Sequence, residues 1–181
     1  MTGQPFSLIP FNGPDVPDIT IKGTITRQNN LLTIHYGLTG KLEQIILPSL
    51  CLNPARRDEL WKATCFELFL AAKDLPKYWE FNMSPTGDWN VYRMDAYRRI
   101  GFREETSIQL LPFQVQKDVE SLVVNVAIDL NPIIHADQIL EIGITAVIQN
   151  RHGSETYWAL AHPASQADFH LRESFILALA G

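Results

Sequence analysis

The sequence predicts an all-β protein, specifically an antiparallel β-sandwich of roughly ten strands. Apolar and polar residues alternate at the two-residue period of a half-buried strand, as they do around Leu122, Val124 and Val126. Turn signals such as Asn29-Asn30 separate the short strand candidates. No segment has the apolar spacing of a long helix. An up-and-down barrel is the alternative that the same pattern allows.

Each strand candidate rests on its own alternation and on the turn residues at its ends. Residues 18–28 and 31–39 form a predicted hairpin, and residues 64–73, 78–85 and 89–95 form a predicted meander. The remaining candidates are residues 108–117, 120–130, 138–149, 156–161 and 173–180, of which the last is also compatible with a short helix. Residues 1–17 are rich in proline and glycine, so we expect them to form an irregular N-terminal arm.

Composition limits the classes of protein to which the chain can belong. Its 181 residues are 46% hydrophobic and 19% charged, which is typical of one folded domain spanning residues 1–181. The net charge of −5 and the lack of a basic cluster argue against nucleic-acid binding. No segment resembles a signal peptide or a membrane span, so we expect a cytoplasmic protein without a membrane partner. The two cysteines are too few for a disulfide framework.

The meander is the segment with the clearest functional pattern. We take residues 74–77 as its first loop and Thr86-Gly87 as a two-residue second turn, which fixes the side on which each residue lies. The predicted polar face then carries Glu67, Glu80, Asn82, Ser84, Trp89 and Arg93. The predicted core face carries Phe66, Leu68, Leu70, Trp79, Phe81, Met83, Tyr92 and Met94. A shift of one residue in either turn would exchange the two faces of a strand.

Four short motifs in this region resemble a known family. They are Leu60-Trp61-Lys62, Cys65-Phe66-Glu67-Leu68-Phe69, Tyr78-Trp79-Glu80-Phe81-Asn82 and Ser84-Pro85-Thr86-Gly87. In this order they resemble the DOMON-like domains, a superfamily that is similar to the family 9 carbohydrate-binding modules. The tail from Tyr157 to Pro163 resembles a small bacterial subgroup of stand-alone proteins. Thr64 stands where the sugar-binding modules often have an acidic residue. The resemblance implies a β-sandwich that binds sugars or haem and is not usually a catalyst.

These observations predict a non-catalytic module that binds a small polar ligand, with a carbohydrate as the leading candidate. Carboxylates and a guanidinium can bind sugar hydroxyls, and an indole can stack on a sugar ring. The candidate ligand-binding residues are Glu67, Glu80, Asn82, Trp89, Arg93 and His162. The structural alternative for Glu80 and Arg93 is a cross-strand ion pair. We expect neither a cofactor nor a metal.

Three alternatives remain at this point. The polar face could instead meet a protein partner, in which case the chain is an interaction or structural module. Glu67 and Glu80 could support a weak glycoside-processing activity, because glycosidases use pairs of carboxyl groups. His162, Asp168 and His170 could bind a metal or only brace a loop. Haem ligation is disfavoured because Met83 and Met94 fall on the predicted core face.

Overall fold

A computed structural model describes residues 3–98 and 101–181 and confirms the predicted antiparallel β-sandwich. In chain order its strands are β1 (Gln4–Ser7), β2 (Ile9–Pro10), β3 (Ile19–Gln28), β4 (Leu31–Gly40), β5 (Cys65–Ala72), β6 (Tyr78–Met83), β7 (Trp89–Met94), β8 (Arg103–Glu104), β9 (Phe113–Lys117), β10 (Ser121–Asp129), β11 (Leu140–Gln149), β12 (Glu155–Ala159) and β13 (Leu177–Leu179). Three short 3-10 helices span Leu42–Gln44, Leu60–Lys62 and Arg172–Ser174. Within the described ranges, no helix is long and apolar enough to cross a membrane.

The strands form two sheets. One has five strands in the order β1-β3-β4-β10-β9, and the other has the order β2-β12-β11-β5-β6-β7-β8, with β13 pairing beside β11. The arm that we expected to be irregular contains β1 and β2, although its first two residues lie outside the described range. β1 pairs with β3 of the first sheet and β2 with β12 of the second. The arm therefore extends the edges of both sheets.

The hairpin of β3 and β4 forms as the sequence predicts. Gln28 pairs with Leu31, so that Asn29 and Asn30 alone make the turn. Their φ angles of 48° and 61° are those of a type I′ turn, which asparagine tolerates better than most residues. The side chain of Asn30 is buried, and its Nδ2 donates a hydrogen bond to the carbonyl of Ile134 at 2.7 Å. The turn is thereby tied to the loop that follows β10.

The main core lies between the two sheets. Inward residues of β3, β4 and β10 meet Phe66, Leu68 and Phe81 of the meander, as the alternation predicts. The Tyr36 hydroxyl crosses this core and donates a hydrogen bond to the Glu67 backbone carbonyl at 2.8 Å. A polar tyrosine tip buried at this depth needs such a partner. The contact links the middle of the first sheet to the strand that carries Glu67.

A second apolar cluster lies on the outer face of the larger sheet. Its buried members are Phe69, Ala71, Tyr78, Tyr92, Met94 and Phe175, with Trp61 and Phe169 packed against them. This cluster explains why every residue of β5 and β6 is buried, although a sandwich strand usually exposes one face. The outer face is therefore largely covered over β5 and β6 by other parts of the chain.

The meander of β5, β6 and β7 is confirmed, and its first turn preserves the predicted faces. The structure pairs Ala71 with Tyr78 and Glu67 with Asn82, a shift of two residues from the predicted register. Because strand side chains alternate with a period of two, a shift of two residues leaves each on its predicted side. Glu67, Glu80 and Asn82 therefore share the outer face, as predicted.

The second turn differs from the prediction by one residue, so the predicted sides of β7 are wrong. Met83 pairs with Trp89, and Pro85, Thr86 and Gly87 form a three-residue loop. Gly87 adopts a φ of +93°, and its N–H donates to the Ser84 carbonyl at 2.9 Å. This is a type I turn followed by a left-handed glycine, a common three-residue hairpin loop. The outer face of β7 consequently carries Asn90, Tyr92 and Met94. The opposite side carries Trp89, Val91 and Arg93.

Candidate functional site

A cavity of about 290 Å³ opens on the outer face of the larger sheet. Strands β5, β6, β11 and β12 supply its floor, which consists of Glu67, Phe69, Glu80, Val147, Glu155 and Tyr157. The walls come from the 3-10 helix at Leu60–Lys62 and from loops of the chain, and they consist of Trp61, Arg98, Phe102, Ala167, Phe169 and His170. The cavity thus combines carboxyl groups on a rigid sheet with aromatic side chains that stand around them.

The two carboxyl groups of the floor are almost completely buried. Glu67 is 2% exposed and Glu80 is 5% exposed. Each has one oxygen with a hydrogen-bond donor: the Thr145 hydroxyl donates to Glu67 Oε2 at 3.0 Å, and Asn82 Nδ2 donates to Glu80 Oε1 at 2.8 Å. In the part of the chain that the structure describes, no basic side chain forms an ion pair with either group.

This burial makes both groups weak acids. Burial raises the pKa of Glu67 well above its usual value, the negative charge of Glu80 raises it further, and the bond from Thr145 opposes the change. Burial also raises the pKa of Glu80 to about 7, against the bond from Asn82. Two like charges side by side in a poorly hydrated site are unfavourable. The pair therefore retains a proton near neutral pH unless a cation or a donor enters the cavity.

Aromatic rings stand on two sides of the carboxyl pair. On one side the ring of Phe102 stacks on Tyr92 with a centroid distance of 4.7 Å, and Trp61 meets Tyr92 edge-on at 5.5 Å. On the other side Phe169 lies 6.4 Å from Phe69 and packs against Tyr157. Phe102 is 53% exposed, which is unusual for a phenylalanine in a packed cluster. Such rings offer flat apolar surfaces to a ligand in the cavity.

The described charged side chain in the cavity wall, Arg98, is paired with an acidic neighbour. Arg98 Nη2 lies 3.0 Å from Asp168 Oδ1, and the Tyr97 hydroxyl donates to the other oxygen of Asp168 at 2.6 Å. The Tyr78 hydroxyl lies 2.9 Å from His170 Nδ1. Burial and the nearby Arg98 charge lower the pKa of His170 to about 4, so its ring is neutral at pH 7. This wall adds no net positive charge to balance the carboxyl pair.

The six residues expected to bind the ligand are not all brought together. Glu67 and Glu80 line the cavity, and Asn82 lies beneath them as the donor to Glu80. Trp89 is instead buried in the main core, with the Arg56 guanidinium 4.4 Å from its ring centre. The prediction that Trp89 and Arg93 share a face with Glu67 is wrong, because the three-residue loop reverses the sides of β7.

Arg93 has other partners. It pairs with Trp79 across the ladder, so the expected cross-strand pairing with Glu80 does not form. Its guanidinium lies 3.5 Å from an oxygen of Asp95. Tyr92 takes the place opposite Glu80, which brings an aromatic ring and not a cation to the outer face.

His162 lies beside the cavity and not in its lining. Its Nε2 donates a hydrogen bond to the Ile9 carbonyl at 3.0 Å, and Phe11 meets the ring edge-on. Asp168 and His170, which the metal alternative also requires, have the different partners described above. Among residues 3–98 and 101–181, no group of three His, Cys, Asp or Glu side chains is placed to hold a metal ion.

The predicted site residues do not include several residues that line the cavity. Phe69 has the same parity as Glu67 on β5, so its place on the floor follows from the alternation once the outer face is recognised as a site. Trp61, Phe102 and Phe169 come from a short 3-10 helix and from loops, whose positions no periodicity encodes. Thr64, which replaces the expected acidic residue, is buried and donates to the Ile46 carbonyl at 2.7 Å.

A broader depression of about 550 Å³ covers the outer face of the smaller sheet. Its described lining combines polar side chains, such as Thr24, His35 and Asn125, with apolar ones, such as Phe113, and includes no carboxyl group. Its polar groups pair with each other, for example His35 Nδ1 with Asn125 Oδ1 at 2.7 Å. We therefore place the candidate site at the carboxyl cavity, where polar groups remain available to a ligand.

Comparison with known proteins identifies the fold and not a family. No family model and no curated protein matches the chain. A "putative carbohydrate-binding protein" from Bacteroides uniformis has a similar structure with a TM-score of 0.72 and 11% identity, over 98% of this chain and 86% of that one. A family 9 carbohydrate-binding module from Caldicellulosiruptor kristjanssonii in complex with glucose has a TM-score of 0.55 and 12% identity, over 91% and 78% of the two chains. The chain thus has the β-sandwich fold of carbohydrate-binding modules.

Proposed function

We propose that the protein is a non-catalytic module that binds a small carbohydrate in the cavity between Glu67, Glu80 and the aromatic walls. The observation that carries the proposal is the pair of buried carboxyl groups, each with one oxygen to which no described residue donates a hydrogen bond. Sugar hydroxyls are donors of the kind that these oxygens lack, and the flat rings of Trp61 and Phe102 suit the apolar face of a pyranose. A volume of about 290 Å³ suits one or two sugar rings.

The structural neighbours support a carbohydrate as the ligand class. The structure of the Caldicellulosiruptor module is a complex with glucose, and that module shares the sandwich architecture over most of this chain. A shared fold does not establish a shared function, so the proposal rests on the chemistry of the cavity. A single domain of the DOMON-like superfamily and a cytoplasmic location, both expected from the sequence, are further parts of this proposal.

Glycoside hydrolysis is the other activity that a pair of carboxyl groups allows, and a turnover assay distinguishes it from binding. A glycosidase separates the pKa values of its two carboxyl groups, so that one is an acid while the other is ionised. Here burial raises the pKa of both Glu67 and Glu80. None of the described basic side chains pairs with either carboxyl group to keep it ionised as a nucleophile or base. Turnover of aryl glycosides that disappears in Glu80→Gln would contradict the non-catalytic assignment.

Titration calorimetry tests the proposal with a panel of mono- and disaccharides at millimolar concentration. We expect at least one sugar to bind the wild type and to lose on the order of tenfold or more in affinity in Glu67→Gln, since a bond to a charged group is worth about 1.5–3 kcal/mol. Trp61→Ala should weaken the binding of the same sugar, because the substitution removes one aromatic wall of the cavity. Glu43→Gln is the matched control, because Glu43 is exposed on the 3-10 helix at Leu42–Gln44.

Two results would count against the sugar. If no member of the panel binds, the module for a protein partner becomes the better hypothesis. If a sugar binds equally well to Glu67→Gln and Trp61→Ala, the ligand site lies elsewhere on the molecule.

A further inference from the structure

The described lining residues of the cavity include more acidic groups than basic ones. Three carboxyl groups line it, from Glu67, Glu80 and Glu155. The only guanidinium among the described lining residues belongs to Arg98, and it is already paired with Asp168. His170 is neutral at pH 7 because burial and the Arg98 charge lower its pKa to about 4. The described lining therefore provides no free cation for Glu67 or Glu80.

The same cavity has the aromatic content of a cation site. The faces of aromatic rings attract positive charge, and the attraction grows when water is excluded. Trp61 and Phe102 stand on one side of the carboxyl pair, and Phe69, Tyr157 and Phe169 stand on the other. Buried carboxyl groups beneath aromatic rings form a site in which a positive charge interacts favourably with both.

We propose that the bound sugar carries a protonated amine, so that the cavity takes an amino sugar in preference to a neutral one. This inference rests on the proposed function, because it names the class of sugar that the same cavity binds. The ammonium group lies between Glu67 and Glu80 and donates to Glu67 Oε1 and Glu80 Oε2, the two oxygens to which no described residue donates. The pyranose ring lies against the aromatic walls.

A neutral hexose satisfies this site less well. Its hydroxyls can donate to the carboxyl oxygens, but they supply no charge to offset two buried carboxylates. A carboxylate accepts strong hydrogen bonds from hydroxyl and ammonium donors alike, so the two ligands differ by the Coulomb attraction of the ammonium charge, which grows where water is excluded. An ammonium group also stabilises the ionised form of the pair, so its binding displaces the proton that the pair retains when the cavity holds no cation.

Calorimetry at about pH 6, where an amino sugar is fully protonated, distinguishes these ligands. The four probes are glucosamine, glucose, N-acetylglucosamine and choline. We expect glucosamine to bind at least about tenfold more tightly than glucose and N-acetylglucosamine. Glucosamine binding should also release protons, seen as an apparent enthalpy that changes with the ionisation enthalpy of the buffer. Glucose binding should release fewer protons, because its hydroxyls stabilise the ionised pair less than an ammonium charge does.

The possible outcomes distinguish recognition of the amine from recognition of the sugar ring. Equal affinity for glucose and glucosamine would overturn the amino-sugar inference and leave the proposed function standing. Binding of choline without any sugar would overturn the proposed function and the inference with it, as would binding of none of the four probes. Tight glucosamine binding without proton release would show that the ammonium does not lie at the carboxyl pair, which also overturns the inference.

Substitutions at Glu67 and Glu80 test whether the amine of the ligand binds at this carboxyl pair. Glu67→Gln and Glu80→Gln keep the shape of the side chains and remove one charge each, so both should reduce the preference for glucosamine over glucose to about threefold or less. Glu43→Gln should keep the wild-type preference. A full preference retained in both cavity variants would overturn the assignment of the amine to this pair. Because the comparison of probes on the wild type needs no substitution, the test stands even if a variant folds poorly.

Discussion

At the scale of single residues, Glu80 sets a pH response that is opposite to that of most carboxyl groups. Its pKa in the folded protein is about 7 against an ordinary 4.5, because burial penalises the charged form. The folded state thus holds a proton that the unfolded chain has already lost. Stability from this group is fully present below about pH 4.5 and is lost as the pH rises through about 7. The pKa of His170 is lowered from 6.5 to about 4, so the stability that this group contributes rises with pH between those values.

Replacing Glu80 by glutamine should remove this pH response. Between about pH 5 and pH 8 the wild type should lose on the order of 2–3 kcal/mol of unfolding free energy relative to Glu80→Gln. Urea denaturation of both proteins at several pH values provides the measurement. The difference between the two curves reports Glu80 together with its effect on the pKa of Glu67, because His170 and the more distant groups contribute to both curves. A difference that does not change with pH would mean that Glu80 is hydrated in the folded state.

At the scale of elements, the loop between β6 and β7 decides which side chains of β7 lie on the outer face of the larger sheet. The sequence Ser84-Pro85-Thr86-Gly87 carries the signals of a type I turn, with serine first, proline second and glycine fourth. A two-residue turn at Thr86-Gly87 ignores the proline signal and shifts the ladder by one residue. Alternation predicted the approximate bounds of β5, β6 and β7, whereas the faces of β7 depended on this single choice of turn.

Gly87→Ala should destabilise the hairpin. The φ of +93° disfavours any residue with a Cβ, and a Cβ here would lie 2.9 Å from Pro54 Cγ. We expect a loss of about 1–3 kcal/mol in unfolding free energy. Gly153→Ala is the matched control, because Gly153 has a φ of +88° but nothing within 4 Å of the added Cβ. Equal losses in the two variants would show that contact with Pro54 contributes nothing.

At the scale of the whole molecule, the fold has one apolar layer between the sheets and a second, aromatic layer outside the larger sheet. Alternation predicts the first layer well, because Phe66, Leu68 and Phe81 need only point away from Glu67. The second layer depends on Phe102 and Phe169, which lie in loops that bring distant parts of the chain together. Sequence reasoning found the carboxyl groups of the cavity but not most of its aromatic walls, because loop positions follow from tertiary packing and not from a local period.

The two layers should therefore separate stability from binding. Phe81 is fully buried between the sheets, so Phe81→Ala should cost about 3–5 kcal/mol of unfolding free energy. Phe102 is 53% exposed on the rim of the cavity, so Phe102→Ala should cost no more than about 1 kcal/mol of stability and about 1 kcal/mol of ligand-binding free energy. Denaturation midpoints and calorimetry on the same preparations measure both quantities. A large loss of stability in Phe102→Ala with unchanged binding would show that this ring supports the fold, and the cavity would then lack one of its walls.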